Sequence, residues 1–203
     1  MMIGVICTSA PSVVTAASPY VSATIGVGFA GNSNFAASGA TTNDARTYKT
    51  GLPFAGAIGL KSGELRLEAA LGYQANSVDQ IRSPSTGAFY AAPGGNRIAL
   101  FSFMANAFYD YAPEDSDVLP YVTGGLGGVT INPQGELVQS GSKSVFAWQV
   151  GAGVGIRTTE NTVVDLGFRL LKTSSYDVND PAFGAGTFTA SSSNVLLGLR
   201  YDF

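Results

Sequence analysis

From Val195 to Phe203 the chain alternates without a break. Val195, Leu197, Leu199, Tyr201 and Phe203 fall on one parity, and Leu196, Gly198, Arg200 and Asp202 on the other. A two-residue period sends successive side chains to opposite faces of an extended strand. One face is therefore apolar up to Phe203, and an apolar medium is expected against it, since a solvated tail is ordinarily polar. The same habit recurs in seven earlier stretches, 20–30, 52–61, 65–77, 98–111, 121–131, 145–157 and 163–173, with 194–203 as the eighth. In the third, Leu65, Leu67, Ala69, Leu71 and Tyr73 oppose Arg66, Glu68, Ala70, Gly72 and Gln74. In the sixth, Phe146, Trp148, Val150, Ala152, Val154 and Ile156 oppose a row of small and polar residues. No helical period competes in any of them.

The connections alternate in length. "KSGE", "APEDSDVLP" and "TTEN" are short, whereas the segments near 31–51, 78–97, 132–144 and 174–193 are long and polar. An even number of strands with short turns at one end and long loops at the other predicts an all-β fold, an eight-stranded antiparallel up-and-down transmembrane β-barrel. Alternation by itself also fits a soluble barrel, so the charges have to decide. Arg66, Glu68, Asp110, Asp165, Arg169, Arg200 and Asp202 lie on the parity that also holds Gly, Gln and Asn, and none stands mid-strand on the apolar face. Tyr109, Tyr111, Tyr201 and Phe203 gather towards the short turns, while Tyr73, Phe101, Phe103, Phe146 and Trp148 lie nearer the long loops. Two such rows resemble the aromatic girdles that border a lipid-facing band. Charged residues then face a narrow interior filled by side chains. Interior ion pairs are expected among Arg66, Glu68, Asp110, Asp165, Arg169 and Arg200, with Arg66–Asp110 and Asp165–Arg200 at matching heights. Inward glycines at 125, 127, 151, 153 and 155 leave room for bulkier neighbours.

Composition narrows the function classes. Charged residues make up only 12% of the chain and the net charge is −3; no Lys/Arg cluster offers the footprint of a nucleic-acid binder. Beyond the N-terminus no run of about eighteen apolar residues occurs, so a membrane-spanning helix is not expected and strands must make any crossing. Residues 1–16 read as a signal peptide, with an apolar centre and with Val14 and Ala16 at the −3 and −1 positions, although no Lys or Arg precedes the apolar run. Residues 17–203 then form the barrel, and the expected location is the cell outer membrane. Cys7, the only cysteine, lies in that leader, so the exported chain has no disulfide to rely on.

The stretches "LPYVTGGLGGVTI" and "FAWQVGAGVGI" and the ending "GLRYDF" resemble the small outer-membrane barrels of the outer-membrane protein A and opacity-protein type, over about residues 20–203. The resemblance implies that the outer-membrane assembly machinery reads Leu199, Tyr201 and Phe203. It also implies a structural surface protein, adhesin or antigen with variable loops and no particular ligand.

The chain contains no histidine, which removes the usual general base, the usual zinc ligand and any Ser-His-Asp triad. Asp165 with Arg169, or Arg66 with Glu68, could pair a carboxylate base with a cation, but a structural ion pair is the simpler reading. "GAGVG" at 151–155 lies inside a strand with no helix after it, and "GSKS" at 141–144 lacks the glycine spacing of a phosphate loop. "PEDSD", with Glu114, Asp115 and Asp117, reads as a solvated turn before a calcium site. No catalytic residue, cofactor or metal is expected. Phe35, Tyr48, Phe89, Tyr90, Phe183 and Phe188 are apolar groups in polar loops; they are candidates for adhesive contacts, or for packing among themselves or onto the barrel rim. The leading expectation is a monomeric barrel that contacts lipid, is inserted by the assembly machinery, and meets a host or surface ligand through its loops. A narrow pore for small solutes and an exported soluble ligand-binding barrel are the alternatives.

Overall fold

A computed structural model describes residues 17–31, 33–37, 40–83, 86–111, 116–135, 141–180 and 184–203. The expected leader, residues 1–16, lies outside the described residues. Eight antiparallel strands make a closed ring: β1 (Ser18–Ala30), β4 (Phe54–Ser62), β5 (Leu65–Arg82), β7 (Arg97–Asp110), β8 (Val118–Gln134), β9 (Lys143–Arg157), β10 (Thr162–Thr173) and β13 (Ser191–Asp202). Each of the eight pairs with its neighbour in the chain, and β13 pairs back onto β1. Closure satisfies the backbone donors and acceptors that hydrocarbon cannot.

The register shows how the strands are staggered. From Ser18 the direct partners run through Lys61, Arg66, Phe108, Thr123, Gly151, Arg169 and Asn194 back to Gly28, ten residues further along β1. That offset tilts the strands by roughly 40° to the barrel axis, the range in which closed sheets lie.

The faces divide by solvent. Ile25, Ile58, Leu67, Leu126, Leu166 and Leu197 are each more than half exposed, although they stand mid-strand in the ring. Arg66, Glu68, Asn106, Asp110, Gln149 and Arg200 are buried inside. A soluble barrel would be built the other way round, because water tolerates no apolar belt of that extent. The aromatic rows lie where the parity puts them: Phe54, Tyr73 and Phe101 are direct register partners across three strands, and Tyr109 lies at the other end of β7. At ~3.3 Å per residue and a tilt of roughly 40°, Phe101 and Tyr109 stand about 20 Å apart along the axis, close to the ~25 Å apolar band of such barrels.

Three of the long connections carry strands of their own, which the sequence pattern does not suggest. β2 (Ser33–Ala37) and β3 (Ala40–Tyr48) lie between β1 and β4, β6 (Phe89–Ala91) between β5 and β7, and β11 (Tyr176–Asp180) and β12 (Gly184–Phe188) between β10 and β13. They pair in the order β11-β12-β2-β3-β5, with β6 on the other side of β5. The device is the length of β5, whose outer end runs well past the expected Ser77 to Arg82 and offers both edges as a template. The β4–β5 connection is a tight turn as expected and takes Gly63 at φ +60°, a left-handed conformation that glycine adopts without strain.

Candidate functional site: a sealed lumen beneath a paired-strand crown

The inward parity of eight strands converges on the bore, and its short-turn end is closed by charge. Arg66 on β5 grips Asp110 on β7 with two parallel hydrogen bonds, Nε to Oδ2 at 2.7 Å and Nη2 to Oδ1 at 2.8 Å, and both side chains are 3% exposed. This bidentate form is the strong geometry for a guanidinium and a carboxylate. β13 lies four strands from β7 in either direction around the ring. Arg200 therefore reaches Asp110 across the bore, Nη1 to Oδ2 at 3.5 Å, and also stands 3.4 Å from Asp202 on its own strand. At those separations Arg200 is held by charge and not by a formed hydrogen bond, consistent with its three guanidinium nitrogens lacking hydrogen-bond partners. Aromatic faces take up part of the deficit: the Arg66 guanidinium lies 4.2 Å from the Phe108 ring centroid and 5.5 Å from that of Tyr121, and Arg200 lies 6.0 Å from that of Tyr20.

Tyr20, 1% exposed, lies over the backbone of its register partner Gly59, and Tyr121 lies over Gly153 and Gly167. A β-carbon at Gly59 or Gly153 would enter a tyrosine ring. Small residues on neighbouring strands thus make the space that two plugging rings occupy.

Above the ion cluster the lumen is polar and hydrogen-bonded. Glu68 accepts hydrogen bonds from Tyr20 Oη (3.3 Å), Ser22 Oγ (3.3 Å) and Asn106 Nδ2 (3.1 Å), and Gln149 Nε2 donates to Asn106 Oδ1. Gln74 donates to Asn76 at 2.8 Å, and Asn76 in turn donates to the Lys49 carbonyl at 2.8 Å, tying the bore to the first long connection. Two small cavities, about 60 and 30 Å³, share Thr24 and Arg169 as walls. A water molecule's share of the liquid is about 30 Å³, so each has room for one or two waters. Towards the long loops the filling becomes apolar: Ile98, Leu100, Met104, Val129, Ile131, Ala147 and Ala190 form a buried cluster, with Tyr48, Val145, Leu171 and Tyr176 packed on it.

The residues singled out from the sequence fall into distinct settings. Arg66 and Asp110 meet directly. Arg200 pairs with Asp110 and Asp202, not with the expected Asp165. Asp165 faces Gly198 in register, and its Oδ1 has no hydrogen-bond partner. Glu68 is held by neutral donors instead of a cation. Among the described residues Arg169 makes no ion pair; it walls the two cavities. Leu199, Tyr201 and Phe203 lie on the outer face, 54, 46 and 66% exposed, with the last two rings edge-on at 5.2 Å.

Of the loop aromatics, Tyr48 packs on the buried cluster and so is not a displayed contact, because its ring caps the apolar filling. Phe89 and Tyr90 on β6 are 45 and 57% exposed, and the Arg82 guanidinium lies 5.5 Å from the Phe89 ring. The backbone register sets Phe35, Phe188 and Tyr176 in one row across β2, β12 and β11. Phe183, Glu114 and Asp115 lie outside the described residues. Among the described residues no group of three His, Cys, Asp or Glu side chains is placed to hold a metal ion. Sequence reasoning missed Tyr20 and Tyr121 as plugging residues; the available signal was that Tyr20 shares its parity with Ser22 and Thr24, the lumen side of β1.

Comparison with known proteins agrees with this architecture. The model of the outer membrane protein beta-barrel domain family matches residues 1–203. Outer membrane protein PagN of Salmonella typhimurium is 22% identical over 124 residues, 53% of this chain and 52% of PagN, so the chain spans about half the length of that curated relative. Neisserial surface protein A has a crystal structure that superposes with a TM-score of 0.59 at 20% identity, covering 93% of this chain and 99% of that one, a likeness of fold. A family match over the whole chain, on a closed eight-stranded ring with an apolar outer belt, leads to one conclusion: the protein belongs to the outer membrane protein beta-barrel domain family and resides in the outer membrane.

Proposed function

We propose that this barrel is a monomeric display scaffold, whose long connections present contact surfaces to host or surface ligands outside the cell. The observation that carries the reading is the pairing of a filled lumen with a crown of hydrogen-bonded strands. A conducting channel needs a continuous wet path, whereas this bore is crossed by Arg200–Asp110 at one end and filled by Ile98, Leu100, Val129 and Ile131 at the other. The crown, in contrast, chains β11, β12, β2 and β3 by hydrogen bonds onto one edge of β5 and sets β6 on its other edge, and preorganised loops lose less entropy when they bind. Phe89 and Tyr90 are the contact residues of choice: exposed rings on an edge strand that supply large contact area with few rotatable bonds. In the same reading the outer face of β13, with Leu199, Tyr201 and Phe203, is the surface offered to the barrel assembly machinery.

Cells displaying the wild type or the Phe89→Ser, Tyr90→Ser double variant, at matched surface levels, test the proposal in an adherence assay on epithelial monolayers. Adherence above that of cells lacking the protein is expected for the wild type and near background for the variant. Equal adherence of the two would refute the role of β6, and stepwise conductance of the wild type in a planar bilayer would favour the pore.

A further inference from the structure

We infer that Lys172 and Trp148 form a binding position for a phosphorylated lipid headgroup on the membrane-facing rim of the barrel. Lys172 stands on the outward parity of β10, after Leu166, Phe168 and Leu170, all more than 40% exposed to the membrane side. It is thus the last residue of an apolar row, and it is charged. Its direct register partners are Trp148 on β9 and Ser191 on β13. Trp148 is 41% exposed and belongs to the girdle on the long-loop side, where an indole has its apolar body in the acyl region and its N–H at headgroup level.

Three features make this position more than a solvated lysine. Among the described residues Lys172 has no carboxylate partner, whereas Lys49 at the crown has Asp79. Among the described residues it is also the one acidic or basic side chain on the outward parity that stands as far in as the long-loop girdle; the next outward ones, Asp79 and Arg97, lie further out on β5 and β7. Hydroxyl groups gather around it: Ser191 opposite, and the exposed Ser174 two residues on, whose Oγ donates to the Phe146 carbonyl at 3.2 Å. An unpaired ammonium at the edge of hydrocarbon, with hydroxyls on one side and an indole on the other, is complementary to an anionic phosphate whose acyl chains run down over Leu170 and Val150. A flexible four-carbon stem brings the charge up to the headgroup, and one lysine at a membrane surface favours an anionic lipid by about fivefold.

Trp148 is the only tryptophan in the chain, so its fluorescence reports on this position alone. The protein is reconstituted in phosphatidylcholine vesicles containing a minor fraction of either brominated phosphatidic acid or brominated phosphatidylcholine, and quenching is compared at equal bromine content. In the wild type and in Lys172→Arg the anionic lipid is expected to quench as though enriched about fivefold at the site. In Lys172→Gln the two lipids become equal, while inorganic phosphate does not displace the anionic lipid from the wild type. Equal quenching by both lipids in the wild type, or enrichment that survives Lys172→Gln, would overturn the inference. Displacement by inorganic phosphate would assign the position to the free anion and overturn the lipid. No quenching from either lipid would remove Trp148 from hydrocarbon, and the site with it.

Discussion

Asp110→Ala is the most informative single substitution in the lumen. The carboxylate neutralises Arg66 through two hydrogen bonds at 2.7 and 2.8 Å and also faces Arg200 at 3.5 Å across the bore, and the three side chains are between 1 and 3% exposed. Removing it leaves two buried guanidinium groups, of which, among the described residues, only Arg200 keeps an ion-pair partner, Asp202 at 3.4 Å. Breaking a buried pair by deleting one partner costs about 3–5 kcal/mol, mostly as the penalty of the stranded charge. With a urea slope of about 2 kcal/mol per molar, the unfolding midpoint in lipid vesicles should fall by roughly 1.5–2.5 M. Asp79→Ala is the control: its partner Lys49 is 3.8 Å away with both side chains largely exposed, and its loss should cost no more than about 1 kcal/mol. A double change of Arg66→Met with Asp110→Leu should recover much of the loss, because two apolar groups leave no charge unpaired. If Asp110→Ala and Asp79→Ala shift the midpoint equally, the ion cluster does not hold the barrel closed and the account of the lumen is wrong.

Leu197→Arg, at an outward mid-strand position 54% exposed, should destabilise the inserted barrel by about 2–4 kcal/mol, measured by urea unfolding in vesicles, while Ser191→Arg at the rim should cost less than about 1 kcal/mol. Gly59→Val places a side chain in the Tyr20 ring and should unseat the plug, read as proteolytic sensitivity from the short-turn side of vesicle-inserted protein; Gly56→Val, which meets nothing, should leave it intact. Phe203→Ala should slow insertion by the assembly machinery in cells without preventing export, and unchanged insertion would count against a role for the outer face of β13 in assembly.

What the sequence made legible depends on whether the information is local. The side to which Arg66, Glu68, Asp110 and Arg200 point follows from parity within one strand, because the side-chain period is two wherever the strand lies. Arg66 and Asp110, on neighbouring strands, were legible as a pair too; which acid meets which base across the bore was not, since it depends on a ten-residue offset accumulated over all eight strands. Arg200 accordingly answers to Asp110 on the opposite wall, and Asp165, close by in height, lacks a hydrogen bond at Oδ1. The crown strands were hidden for a related reason. β2, β3, β6, β11 and β12 carry little alternation of their own; β3 and β6 pair onto the long outer end of β5 and β2, β12 and β11 follow in turn on β3, so their order is a tertiary property. Tyr48 shows the same limit: as a lone ring in a polar segment it is indistinguishable from Tyr90, yet one caps the apolar filling and the other faces outward.

The central claim is that the odd-numbered residues of β13 touch hydrocarbon, and spin labels introduced one at a time from Val195 to Leu199 in a Cys7→Ser background test it most directly. In lipid bilayers, labels at 195, 197 and 199 should collide with dissolved oxygen far more than with a water-soluble nickel chelate, and labels at 196 and 198 should be shielded from both. Chelate-dominated collisions at 195, 197 and 199 would place that face in water and contradict the account.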